Sequence, residues 1–333
     1  MTVHKAVQQG TCRALAAIVG LSIVLAVSDV APAAQPWPNR PITVIVPFGA
    51  GSASDVIARV ALHQVSEQVG QPIIIVNRGG AGGTLGSNLV AKAASDGYTV
   101  LATGALAAAQ GLYRTLPYET LQDFVPVIPL GLQPLVLVTA TSKGYKTLAD
   151  LIAVAKAQPG AMNFTSAGVG SASHLAAKRL RLSGNFEARH IPFRGAGEAL
   201  TEVLAGRVDF MFVPLAAALP LIKDYKLVAL AVSSSRRASS LPAVPTTAEV
   251  GLTGSTFEFW VGLFLPAKTP PDIVTKLHKE AAIALETPTV RENFAKLGVE
   301  RMPMSQNEFD EFFHHDVEAY VKLVKAANIP MQN

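Results

Sequence analysis

Four times along this chain an apolar run empties into a glycine- and serine-rich turn that opens a helical stretch. The first is Ile42-Thr43-Val44-Ile45-Val46, followed by Pro47-Phe48-Gly49-Ala50-Gly51-Ser52. The second is residues 73–76, followed by the glycine-rich segment 77–86 with Ala81, Gly82 and Gly83. Residues 162–165 lead into Ser166-Ala167-Gly168-Val169-Gly170-Ser171, and residues 189–192 lead into Phe193-Arg194-Gly195-Ala196-Gly197. This alternation admits few folds. Runs of this kind are buried on both faces, are joined through crossover helices, and build a largely parallel sheet. In such sheets ligands sit beyond the carboxyl ends of the strands. Small turn residues let a ligand approach backbone N–H groups, and the helix start adds free N–H donors and a positive dipole end. The Phe48–Ser52 turn (residues 48–52) is therefore expected to form half of a carboxylate site, with Ser54 or Asp55 as the helix N-cap. Ser166 and Ser171 are expected to add hydroxyls from the third turn.

The order of the units implies an α/β fold of two lobes with a ligand cleft between them. Residues 36–137 and 257–333 are assigned to the first lobe and 138–256 to the second. The strand at 134–138 is read as the crossover, and 259–266 as the return. Residues 112–127 read as turn-rich. Thr147 with Asp150 opens a helix as an acidic capping box. Three helices close the chain. Thr287-Pro288 and Gly298 bracket one, and Ser305 with Glu308 caps the last, whose Phe309, Phe313, Val317, Tyr320 and Val324 share a face.

Residues 1–33 read as a secretory signal peptide. Lys5 and Arg13 precede an apolar run, and Ala31-Pro32-Ala33 supplies a small-x-small cleavage pattern. Cys12 is the only cysteine, so the mature chain is expected to hold neither disulfide nor cysteine metal site. The formal charge of +4 is scattered, without the basic stripe that nucleic acid requires. Gly80, Gly82 and Gly86 approach a dinucleotide fingerprint, but they follow the second strand and lack the ribose-binding acid. No Gly-Lys-Ser/Thr phosphate loop and no G-x-S-x-G elbow occurs. His174 and His190 read as isolated surface or capping residues. No metal and no cofactor is expected.

Together the motifs resemble the substrate-binding proteins of tripartite tricarboxylate transporters, the Bug (TctC-like) family. The resemblance rests on Val46-Pro47-Phe48 with Gly51 and Asp55, Asn77-Arg78 with Gly80 to Gly83, Asp96-Gly97-Tyr98-Thr99, and Leu116-Pro117-Tyr118. It continues through Asp123-Phe124 with Pro126-Val127, Ser166 with Gly168, Gly170 and Ser171, His174-Leu175, His190 with Pro192, and Pro245-Thr246 with Glu249. It implies a monomeric, periplasmic, two-lobed binding protein that closes on an organic carboxylate and hands it to membrane subunits. It also implies carboxylate contacts from Phe48, Gly49, Ala50, Gly51 and Ser52, from Ala81, Gly82 and Gly83, and from Ser166, Gly170 and Ser171. Relatives that take amino acids carry an Asp near Val213, so this chain is expected to prefer aliphatic or aromatic acids. An exported enzyme acting on an organic acid in the same cleft is the alternative.

Overall fold

The computed structural model describes residues 37–326 and 329–332, so the expected signal peptide and Cys12 lie outside the described residues. The first two apolar runs form β1 (Ile42–Val46) and β2 (Ile73–Asn77), a further run forms β3 (Thr99–Thr103), and the three are parallel in the order β2-β1-β3. β1 is flanked by α1 (Ala53–Val69), and α2 (Thr84–Ala91) follows β2. The next helix, α3 (Leu106–Leu112), was not expected. Apart from the exposed Gln110 its residues are apolar and buried, so one polar position in two turns is all that marks a helical period.

The largest departure is β4 (Phe124–Ala140), one strand of 17 residues where only 134–138 had been expected. Its prolines hid it. Pro126 and Pro129 cannot donate to a ladder, and the pairing register shifts beside each of them. Up to Pro134, β4 pairs antiparallel with β9 (Glu258–Pro266), which also borders β3. From Leu135 onward it pairs antiparallel with β7 (Phe210–Pro214) and β8 (Leu227–Val232). β5 (Asn163–Ser166) and β6 (Arg189–Pro192) continue that half of the sheet in parallel beyond β7. The order is β2-β1-β3-β9-β4-β7-β5-β6. The two central strands run in opposite senses because one carries the chain across and the other brings it back.

The second half adds α4 (Leu148–Ala157), α5 (Ala172–Gly184), α6 (Ala196–Leu204) and α7 (Leu215–Lys223). The Thr147–Asp150 capping box is present. Val136, Val203, Met211 and Val213 belong to one buried cluster of this half. The chain ends with α8 (Pro271–Glu286), α9 (Pro288–Leu297) and α10 (Gln306–Ala326). Phe309, Phe313, Val317, Tyr320 and Val324 of α10 are buried, with Phe309 and Phe313 against Trp260 and Phe264 of β9. No described helix is long and apolar enough to cross a membrane.

Candidate functional site

The turn after β1 is built to leave helix donors free. Ser52, not Ser54 or Asp55, is the N-cap of α1, and its hydroxyl accepts from Asp55 N. Asp55 sits at the third helical position and takes the Gly51 N–H at 2.9 Å. Gly51 lies at φ 77°, a left-handed conformation that glycine adopts without penalty. Asp55 is held from behind by Arg59 and by Asn77, whose amide also donates to Phe48 O. Burial alone would raise the Asp55 pKa; the bonds from Arg59, Gly51 and Asn77 outweigh it and hold the carboxyl below its usual value. What remains unused is the N–H of Ala53 and of Ser54, neither of which meets an acceptor among the described residues. The Ser54 hydroxyl is also buried without a partner.

The turn after β5 repeats this device. Gly51-Ser52-Ala53-Ser54-Asp55 has its counterpart in Gly170-Ser171-Ala172-Ser173-His174, and Arg59 has one in Lys178. Ser171 caps α5 with φ −67° and ψ 158°, against −67° and 160° at Ser52. His174 Nδ1 takes the Gly170 N–H at 3.2 Å, as Asp55 takes that of Gly51. The N–H groups of Ala172 and Ser173 are left without an acceptor among the described residues. Ser173 Oγ accepts from Ala167 N, and Ser171 donates to Gly168 O.

Both helix starts open on one small hollow of about 30 Å³. Ser52, Ala53 and Ser54 line it from one side; Ser171, Ala172 and Ser173 line it from the other. Phe48, Leu135, Ala196, Pro214 and Phe259 supply apolar walls, and none of the described residues that line it is charged. A wider space of about 550 Å³ adjoins it, sharing Phe48 and Ala167. Gly49, Ala81, Gly82, Gly83 and Arg194 line that outer space, together with Tyr113 and Gln332. The two sides touch around it: a methyl added at Gly82 would lie 2.8 Å from Val169 O, and one at Gly49 would lie 3.7 Å from Arg194 O.

The residues singled out in the sequence therefore divide. Phe48, Ser52 and Ser171 reach the inner hollow, and Gly49, Ala81, Gly82 and Gly83 reach the outer space. Ala50, Gly51, Ser166, Gly170 and Val213 line neither. Gly51 and Gly170 spend their N–H groups inside their own turns. Val213 packs in the core, and its neighbour Pro214 faces the hollow. Sequence reasoning missed Ala53, Ser54, Ala172 and Ser173. The signal that finds them is the repeated pentapeptide, obscured by the exchange of Asp55 for His174.

His174 and His190 are not isolated. Their rings stack at 4.2 Å, and Phe164 stacks on His190 at 4.8 Å. Burial lowers both imidazole pKa values, His190 to about 4, helped by the positive charges of Lys178 and Arg181. Ser166 Oγ lies 2.7 Å from His190 Nε2, the spacing of a nucleophile and its base. Ser166 is fully buried and outside both spaces, and its hydroxyl is also bonded to Gly168 N, so the pair braces the turn. Among the described residues no cluster of His, Cys, Asp and Glu could hold a metal.

A family model described as tripartite tricarboxylate transporter family receptor matches residues 57–329. A UPF0065 protein from the tcbD-tcbE intergenic region of Pseudomonas sp. strain P51 is 37% identical over 311 residues, covering 92% of each chain. Among solved structures, the periplasmic binding protein BugD superposes with a TM-score of 0.84 at 29% identity, over 89% of this chain and all of that one. Rpa4515 of R. palustris, solved with adipate, gives 0.85 at 30% identity with the same coverage. These neighbours are two-lobed periplasmic binding proteins, and the family consists of solute-binding receptors. With matching extending over nearly all of the described residues, this chain belongs to the tripartite tricarboxylate transporter receptor family.

Proposed function

We propose that this protein is an exported, non-catalytic receptor that closes on a small organic carboxylate and delivers it to the membrane subunits of a tripartite tricarboxylate transporter. The observation that carries this reading is the pair of matching helix starts, with unused N–H donors at Ala53, Ser54, Ala172 and Ser173, on one uncharged hollow. Fixed N–H dipoles suit an anion, and burial in that hollow strengthens them. The wider space that adjoins this small hollow leaves room for an aliphatic or aromatic body. In this reading the lobes divide where β4 leaves β9 for β7 and β8, near Pro134, and where β9 begins, at Glu258. The bound adipate of Rpa4515 supports an acid as the ligand class.

The same lining argues against amino acids. Among the described residues Arg194 is the only charged one on either space, so an α-ammonium group would be buried there without a counterion. Isothermal titration of the mature protein with adipate, benzoate, aspartate and glutamate tests the proposal. Heat from an unsubstituted acid with none from the amino acids is expected. Tight binding of aspartate or glutamate would overturn the ligand class, and silence from every acid would overturn the function.

A further inference from the structure

The two cradles share one geometry but differ in charge. In the first, Asp55 and Arg59 form an ion pair at 2.9 Å, so the residues that prop up the turn cancel each other. In the second, the acceptor of the glycine N–H is an imidazole. The groups around it are His190 of β6, Lys178 and Arg181 of α5, and Glu187 beyond that helix. Glu187 is committed to Arg181, and Lys178 makes no ion pair with a described residue. Because Nδ1 accepts the Gly170 N–H, the proton of the neutral ring resides on Nε2.

We propose that His174 is the positioning residue of the second cradle, holding the Gly170 N–H as Asp55 holds that of Gly51 but adding no negative charge, so that Lys178, one turn further along α5, keeps its charge without an ion-pair partner on the helix that opens at the anion. The inference rests on the carboxylate reading of the cleft and goes beyond it. It makes the second lobe the half that attracts the acid, and the first a neutral wall that completes the grip. It also explains why a repeat that preserves Gly-Ser-Ala-Ser changes at its fifth residue.

Three variants of the full mature chain separate geometry from charge, with adipate as the probe. His174→Asn keeps a neutral acceptor and is expected to bind within about threefold of the parent. His174→Leu fills the space without an acceptor and is expected to bind roughly tenfold or more weakly. His174→Asp keeps an acceptor and gives Lys178 the partner that Arg59 already has, and is expected to lose about tenfold as well. Thermal midpoints without ligand show that each variant is folded. Binding of His174→Leu equal to that of the parent overturns the positioning role, and binding of His174→Asp equal to that of His174→Asn overturns the charge argument. Imidazole nitrogen NMR of the ligand-free protein at neutral pH reads the tautomer directly: a proton on Nε2 is expected, and a proton on Nδ1 overturns the inference. If no acid binds the parent, the receptor function fails, while the tautomer result still decides the His174 network.

Discussion

Closure of the cleft can be attacked with a single methyl group. Gly82 stands at φ 61°, and a Cβ there would lie 2.8 Å from the backbone oxygen of Val169 across the cleft. Gly82→Ala therefore imposes two costs. The left-handed conformation costs an alanine about 1–2 kcal/mol whether or not the cleft is closed. The contact with Val169 O exists only when the two loops meet, and it is about half an ångström too short; backbone cannot swing away as a side chain does. Overpacking of this kind costs about 1–3 kcal/mol. The Tyr113 hydroxyl, 2.6 Å from the same point, belongs to a side chain and not to backbone, so a small rotation can relieve it. Only the closed-state cost enters the affinity, which is expected to fall roughly 5- to 150-fold. Gly144→Ala is the control. Gly144 has φ 77° with nothing within 4 Å of the added carbon, so it carries the strain without the wedge. Both variants are expected to melt a few degrees lower, at about 2–4 °C per kcal/mol. Calorimetric titration with adipate should separate them. Equal affinities for the two variants would refute the claim that the Gly82 loop closes against Val169 when the ligand is held.

Two further perturbations address the donors and the pH response. Removing the hydroxyls at the second helical position of each cradle, by Ser54→Ala with Ser173→Ala, is expected to weaken acid binding by about 1–3 kcal/mol in the same titration; unchanged affinity would move the acid elsewhere. Asp316 of α10, buried against Trp260 Nε1 at 2.7 Å, has its pKa raised by burial to about 6. The folded chain then holds a proton that the unfolded chain releases between about pH 4 and 6, so this group makes stability fall as pH rises through that window. His190 has the opposite sign: its folded pKa of about 4 lies below the unfolded value, so its contribution to stability rises with pH from about 4 to 6.5. The two slopes offset each other in the parent protein. Asp316→Asn, which keeps an acceptor for Trp260, removes one of them and is expected to stabilise by up to ~3 kcal/mol at pH 8 and by little at pH 4. Urea unfolding at both pH values checks this, and parallel profiles for parent and variant would contradict it.

What the sequence discloses follows from how local each signal is. The strand–turn–helix units, the Thr147–Asp150 and Ser305–Glu308 capping boxes and the buried face of α10 rest on spacings within one element, and each appears where the residues place it. β4 was hidden because its prolines imitate turns, although bulges let a strand pass through them. α3 is buried except at Gln110, and one exposed polar residue is too little of a polar stripe to reveal a helix. The N-cap of α1 was placed two residues late because Ser52 and Ser54 are equally good caps, and the choice depends on Gly51 turning back to Asp55. The stack of His174 on His190 joins α5 to β6, and no spacing rule links residues on separate elements. Ser166 was singled out for its hydroxyl, yet that hydroxyl faces the imidazole behind the turn and not the hollow.

In the proposed function, opposed backbone donors at the starts of α1 and α5 recognise negative charge. Comparing an acid with its own primary amide tests it most directly, since the pair differs little in shape. Titrating adipate against adipamide, and benzoate against benzamide, is expected to give binding for an acid and none for its amide. Equal affinity within a pair would mean that the hollow reads only shape, and would contradict the claim.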